Sequence, residues 1–239
     1  MLKSLMSALA RSRGYRIVRD RDHVAQIDLF ELLVDKLTNN RPDFFFIQIG
    51  ANDGLMDDPI QAYVKRFHWR GILVEPVRFY FDKLRSNYAG ESQLIFENAA
   101  IAQTDGTLKL FTLPPSPDLP DWAHGCTSFN RENLLKHRST IADVANRIEE
   151  VSVASMTFMS LLARHDVKHI DLLQIDVEGF DYEILKLINF AKIKPRLIQF
   201  EHFLLPLAAQ RECYALLNGH GYKLNTVGSN TIALLSAES

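Results

Sequence analysis

A run of large apolar residues, Phe44-Phe45-Phe46-Ile47, passes through Gln48 and Ile49 and stops at Gly50-Ala51-Asn52-Asp53-Gly54. A strand that is apolar at nearly every position buries both faces, which requires the middle of a parallel sheet covered by helices on both sides. A plain turn needs only one glycine. Two glycines directly after a buried strand point to a ligand lying close against the backbone.

The rest of the chain keeps the rhythm that such a sheet requires. Residues 26–38 carry Ile27, Leu29, Phe30, Leu33, Val34 and Leu37 at helical spacing, and Pro42 then breaks the chain. Pro59 suits the first turn of a helix that continues over Ile60 to Phe67. Gly71 opens a strand from Ile72 to Glu75, residues 77–88 read as a helix, and Leu94 to Phe96 is a third strand. This β-α-β-α-β pattern predicts a doubly wound α/β sheet with right-handed crossovers.

An interruption follows. Thr107 to Leu113 alternates after Asp105-Gly106 and reads as a hairpin arm. Pro114, Pro115, Pro117 and Pro120 exclude regular structure up to Gly125, and residues 130–148 read as polar helix. The α/β rhythm resumes at Met156 with a helix marked by Phe158, Leu161 and Leu162. A strand (Ile170 to Ile175), a helix (Tyr182 to Ile188), a strand (Arg196 to Phe200) and a helix (Leu207 to Leu217) follow. Gly221 to Leu224 and Thr231 to Leu235 suit a closing antiparallel pair. The division expected is a basic leader and helix over residues 1–42 and a single domain over 43–239. Residues 113–148 are an insertion at the functional edge, with 113–128 as a lid.

With 239 residues the chain is long enough for one sizeable domain. A net charge of −2 with no internal basic cluster argues against a nucleic-acid partner. Cys126 and Cys213 fit neither a zinc site nor a disulfide framework, and a reducing cytoplasm is the expected compartment. Leu5 to Ala10 is too short for a signal-peptide core or a membrane span. Lys3, Arg11, Arg13, Arg16 and Arg19 make a basic N-terminus, read as a solvated leader with contact to an anionic membrane surface as the alternative.

In open α/β sheets, ligands bind beyond the carboxyl ends of the strands. Here those ends carry Gly50, Glu75, Asn98, then Asp176 and Glu178, then Glu201 and His202. Glu75 lies 22 residues after Asp53 (75 − 53), where an acid accepts hydrogen bonds from both hydroxyls of a ribose. The turn itself lacks the third glycine of a dinucleotide fingerprint. Asp53, Asp57 and Asp58 put negative charge where a pyrophosphate would lie. A cationic ligand tolerates them better. S-adenosylmethionine is one, and its carboxylate is expected on the N–H groups of the turn.

In order, "IGANDG", "VEP", "NAAI", "LLQIDVEGFDYEIL" and "LIQFEH" resemble the FkbM family of S-adenosylmethionine-dependent O-methyltransferases over about residues 43–235. The resemblance implies a class I methyltransferase fold, a Rossmann-like seven-stranded sheet in the order 3-2-1-4-5-7-6 with the last strand antiparallel. It implies an acceptor hydroxyl on a sugar, glycan or related small molecule. Gly50, Ala51, Asn52 and Gly54 would cradle the methionine part of the cofactor, with Asp53 as an amine contact because Gln48 stands where the family favours an acid. Glu75 would hold the ribose, and Asn98 and Ala99 would flank the adenine.

With strands one and four adjacent, about 4.8 Å apart, Asp176 faces the methyl end of the cofactor, and Glu201 and His202 lie one strand further out. His202 is the leading general base and Asp176 the next, because histidine is the commonest choice. Glu201 or Glu178 would orient the imidazole or bind acceptor hydroxyls. His124, Cys126, Thr127 and Ser128 follow the proline-rich loop as acceptor-pocket candidates. Asp176, Glu178, Glu201 and His202 have no fixed metal-ligand spacing, so no metal is assigned; an oxygen-preferring Mg²⁺ or Ca²⁺ is the alternative they leave open. Two further readings stay beside methyl transfer: a nicotinamide-dependent sugar-modifying enzyme, and a cofactor-binding protein of this fold without catalysis.

Overall fold

A computed structural model of the chain describes residues 28–39, 41, 43–56, 58–120 and 123–236. The basic leader expected at the N-terminus lies outside them, as does Asp57. The chain divides into two compact units after Lys36. Helix α1 (Leu29–Thr38) starts where Asp28 Oδ1 accepts hydrogen bonds from Phe30 N at 2.9 Å and Glu31 N at 3.2 Å. These satisfy N–H groups that the first helical turn leaves without partners. No described helix is long and apolar enough to cross a membrane.

From Leu37 onward the elements are β1 (Phe45–Ile49), α2 (Gln61–Phe67), β2 (Arg70–Val74), α3 (Arg78–Asn87), β3 (Leu94–Glu97), β4 (Ala100–Ile101), β5 (Gly106–Thr112) and β6 (Thr127–Ser128). Then come α4 (Arg131–Leu135), a 3-10 turn (Lys136–Ser139), α5 (Val144–Arg147), β7 (Glu149–Met156), α6 (Phe158–Arg164), β8 (Leu172–Ile175) and α7 (Asp181–Lys186). The chain closes with β9 (Leu197–Glu201), α8 (Leu207–Gly219), β10 (Tyr222–Val227) and β11 (Asn230–Leu235).

The main sheet runs β3-β2-β1-β8-β9-β11-β10. Counted along the chain within that sheet alone, the order is 3-2-1-4-5-7-6, as expected. β11 is antiparallel to both of its neighbours, and the other pairs are parallel. Phe46, Ile47 and Ile49 of the central strand are at most 2 % exposed, and burying side chains of this size contributes roughly 1.5–3 kcal/mol each. The parallel register puts the carboxyl ends of β1, β2, β8 and β9 on one edge.

The middle of the chain differs from the expectation in two ways. A second sheet, β4-β7-β5-β6, stands beside the first. Its strand β7 was not foreseen, although Val151, Val153 and Ser155 alternate there with more exposed residues. Residues 130–148 form not one helix but two short ones and a 3-10 turn. Asp143 (φ +51°) adopts a left-handed conformation that a continuous right-handed helix excludes. The proline-rich stretch holds no strand or α-helix among its described residues. Leu113, Leu119, Ala123 and Cys126 instead bury themselves with Leu134, Ile141 and Val144 in a separate apolar cluster.

Candidate active site

The strand ends open onto a cavity of about 510 Å³. Its wall includes Gly50, Glu75, Asp176 and Glu201, one from each of the four adjacent strand ends. At Gly50 (φ +82°) an added Cβ would lie 1.8 Å from the Asp176 carbonyl oxygen, so only glycine lets β1 and β8 converge there. Gly125 (φ +89°) meets the same turn from above, where an added Cβ would lie 2.5 Å from Asn52 Oδ1. Asn52 Nδ2 also donates to the His124 carbonyl at 3.0 Å. The end of the proline-rich stretch is thereby tied to the glycine turn.

Four N–H groups of that turn, those of Gly50, Ala51, Asn52 and Gly54, are already engaged. Gly50 and Ala51 both donate to the Val74 carbonyl at 3.0 Å, Gly54 donates to Ala51, and Asn52 donates to Glu75 Oε2 at 3.0 Å. The expectation that these four groups stand free for a carboxylate is therefore corrected: the β2 carbonyl of Val74, the turn itself and Glu75 engage them. Asp53 Oδ1 accepts from Leu55 N and Met56 N, capping the turn, and neither Asp53 nor Gly54 lines the cavity.

Glu75 is buried, with Oε1 accepting from Val77 N at 2.8 Å and Oε2 from Asn52 N. Burial pushes its carboxyl up to about 7, against the two N–H donors and with help from the nearby Asp53 charge. A titration this far above the ordinary 4.5 has a consequence for stability. The unfolded chain gives up the proton first. Between about 4.5 and about 7 the native state holds more protons, so stability falls as pH rises through that window and levels off above it. For Glu75 alone the loss is on the order of 3 kcal/mol. Urea unfolding near pH 5 and near pH 8 checks it: Glu75→Gln should flatten the difference, and a Glu75→Gln profile parallel to the wild type would refute the assignment.

Three buried glutamines form a row beneath the cavity. Gln48, Gln174 and Gln199 are register partners across β1, β8 and β9. Each has a buried Oε1 without a hydrogen-bond partner, and Gln48 and Gln174 line the cavity. The Gln48 side chain also donates to Asp58, whose carboxyl is raised by burial and accepts from Ile60 N and Gln61 N. Asp58 lines the cavity too. The site role of Gln174 was missed in the sequence. The available signal was the repeated order of glutamine, apolar residue, strand-end residue in QIG, QID and QFE.

Of the other expected residues, Ala51, Asn52, Ala99, Thr127, Asp176, Glu178 and Glu201 line the cavity. Asn98 does not. Its Nδ2 donates to the carbonyls of Glu75 and Pro76, holding the loop that follows β2 from outside the cavity. Ser128 is buried, and its Oγ donates to the Glu178 carbonyl at 3.0 Å. His124 lies outside the lining, whereas Cys126 is part of it.

His202 does not line the cavity either. Side chains alternate along β9, so Glu201 and His202 leave the strand end on opposite faces. The His202 ring meets Thr231 Oγ1 at 3.1 Å, and Thr231 bonds Tyr214 of α8 at 3.2 Å. Glu201 points into the cavity. Its carboxyl is pushed up to about 7 by burial and by the like charge of Glu178. Beneath it Asp181 is fully buried, accepts from Glu201 N at 3.1 Å, and is itself raised by burial and by Glu201.

Comparison with known proteins accords with this geometry. No curated protein matches the chain by sequence. Among solved structures, the methyltransferase FkbM of Methylobacillus flagellatus KT is 10 % identical with a TM-score of 0.50, matching 81 % of this chain to 44 % of that longer one. The precorrin-6y C5,15-methyltransferase of Geobacter metallireducens GS-15 is 12 % identical, TM-score 0.45, over 92 % of this chain and 94 % of that one. The N-terminal domain of human METTL16 in complex with SAH is 11 % identical, TM-score 0.46, over 98 % of this chain and 81 % of that one. At such identities the first of these speaks for the fold alone. The model of the methyltransferase FkbM domain matches residues 48–224, most of the chain. With the strand order and the strand-end cavity, that match settles the family: the chain belongs to the FkbM methyltransferases.

Proposed function

We propose that the chain is an S-adenosylmethionine-dependent O-methyltransferase whose acceptor is a hydroxyl of a sugar, glycan or glycolipid. The observation that carries the reading is one cavity with Glu75 at one end, Asp176, Glu178 and Glu201 at the other, and no lysine or arginine among its described lining residues. The cofactor suits that wall. Its ribose hydroxyls donate to the Glu75 carboxylate. Its ammonium suits the partnerless Oε1 atoms of Gln48 and Gln174, since a buried acceptor left without a donor is costly. Asp58 adds negative charge on the same side. A nicotinamide dinucleotide would bring its pyrophosphate into a cavity with no lysine or arginine among its described lining residues to meet it.

Methyl transfer is an in-line displacement on a carbon already activated by sulfonium. Holding acceptor oxygen, methyl carbon and sulfur in line supplies roughly 7–11 kcal/mol, and a base for the hydroxyl proton adds typically 10²–10⁴-fold. Glu201 replaces His202 as our leading base, because it lines the cavity and titrates near neutrality. Asp176 is the second candidate. A neutral polyhydroxylated acceptor fits carboxylates as hydrogen-bond acceptors, whereas a phosphorylated one is repelled.

Calorimetry with S-adenosylhomocysteine and with NAD tests the cofactor, and mass spectrometry of glycans and glycolipids from cells with and without the protein tests the acceptor. Binding of S-adenosylhomocysteine alone and one missing methyl group are the expected results. Binding of NAD without any response to S-adenosylhomocysteine overturns the reading.

A further inference from the structure

We propose that Cys126, His137 and Glu178 form a zinc site in the acceptor end of the cavity, with its remaining coordination position open to the acceptor. One ligand atom from each lies within 4.8 Å of the others, and all three residues line the cavity. Cys126 Sγ already donates to Glu178 Oε1 at 3.2 Å. Tetrahedral zinc with ordinary sulfur, nitrogen and oxygen bond lengths sets ligand-to-ligand separations of about 3.4–3.6 Å. No pair of these atoms is thus more than about 1.4 Å wider than in such a tetrahedral set.

The surrounding structure aims these side chains. Glu178 has φ +52°, an uncommon backbone for a residue with a Cβ, and such conformations cost of order 1–3 kcal/mol unless neighbours enforce them. Here Ser128 Oγ and Asn133 Nδ2 both donate to its carbonyl at 3.0 Å. The turn that carries His137 is tethered in turn, by Lys136 Nζ on the Leu204 carbonyl at 3.2 Å.

Charge calls for the same occupant. Asp176 and Glu201 share this end of the wall with Glu178, and no described lining residue is a lysine or arginine. A divalent cation complements the negative charge gathered at this end of the cavity. Zinc binding displaces the Cys126 proton from Glu178 to solvent, and the resulting thiolate and an imidazole beside one carboxylate favour zinc over Mg²⁺ or Ca²⁺, which prefer oxygen. Three protein ligands with an open position is the pattern of catalytic rather than structural zinc.

The metal's role, unlike its binding, rests on the methyltransferase reading. A hydroxyl bound to zinc loses its proton more readily. That proton passes to Glu201. The alkoxide oxygen then bonds to the methyl carbon as the carbon–sulfur bond breaks, and the bonding pair stays on the sulfur of S-adenosylhomocysteine.

The test uses the full-length chain, stripped with dipicolinate, reloaded with Zn²⁺ and passed over a desalting column. Elemental analysis should find about one zinc per chain, and Cys126→Ser, His137→Ala and Glu178→Gln should each weaken binding at least ~10-fold. Co²⁺ in place of zinc should give a thiolate-to-cobalt charge-transfer absorption that Cys126→Ser abolishes. If a variant fails to fold by circular dichroism, the wild-type cobalt spectrum decides. Absence of that absorption in the wild type, or zinc retained equally by folded variants, overturns the proposal. Calorimetry with S-adenosylhomocysteine is read separately: zinc bound without it refutes the methyltransferase reading and keeps the site, and the converse refutes the site alone.

Discussion

Glu201→Gln lowers methyl-transfer turnover by roughly 10²–10⁴-fold and leaves affinity for S-adenosylhomocysteine nearly unchanged. Glu201 ends the strand beyond Asp176, away from the Glu75 end that the ribose occupies in our reading. Burial and Glu178 hold its carboxyl near 7, so at neutral pH it is a stronger base than an ordinary glutamate yet still substantially ionised. Turnover should rise as pH passes upward through about 7, and Glu201→Gln should remove that limb. Asp176→Asn is the companion variant. His202→Ala should keep most of the turnover, because its ring bonds Thr231 on the opposite face of the sheet. A Glu201→Gln enzyme with normal turnover, beside a His202→Ala enzyme that collapses, would restore the histidine to the role its sequence position suggests.

Glu75→Ala weakens the cofactor by about 10²-fold or more. Each charge-assisted hydrogen bond lost from a ribose hydroxyl costs roughly 1.5–3 kcal/mol, and a carboxylate meets two hydroxyls. The pH dependence is more diagnostic than the magnitude. Hydroxyl donors favour the charged carboxylate, but the free protein holds Glu75 protonated below about 7. Binding must then expel a proton, so affinity falls ~10-fold per pH unit below that value. Glu75→Gln should bind weakly with no such slope. Because Glu75 also accepts from Asn52 N and Val77 N, the fold of each variant is checked by urea unfolding. An affinity for S-adenosylhomocysteine equal to the wild type in Glu75→Ala would remove Glu75 from the site.

Most of the sheet was legible because parallel strands buried on both faces leave a strong local trace. Phe44 to Ile49, Ile72 to Glu75, Ile170 to Ile175 and Arg196 to Phe200 are apolar runs of strand length bounded by turn residues, and each is found within a residue or two of its expected place. Strand β7 was harder. Its alternation covers Val151, Val153 and Ser155 only, and its pairing with β5 joins residues from Thr112 with Glu149 to Gly106 with Ser155, 37 to 49 positions apart (149 − 112, 155 − 106). The strand-end acids were legible by the same logic, since the carboxyl ends of such a sheet meet along one edge.

What the sequence by itself determined is therefore the sheet, its order by way of the family motifs, and the set of polar residues at its open edge. Only the tertiary structure decided which of them face inward. Glu201 and His202 are neighbours in sequence, yet strand alternation sends them to opposite faces, and β11 with α8 then claims the histidine. Asp53 looked like a ligand contact until its carboxylate was found capping its own turn. Gln174, Asp58 and the trio Cys126, His137 and Glu178 acquire meaning only when chain segments far apart in sequence close around one cavity. The physical reason is range. Backbone preference and hydrophobic period act over a few residues and are written locally, whereas burial, like-charge repulsion and the direction of a side chain at a strand end depend on what the fold places opposite.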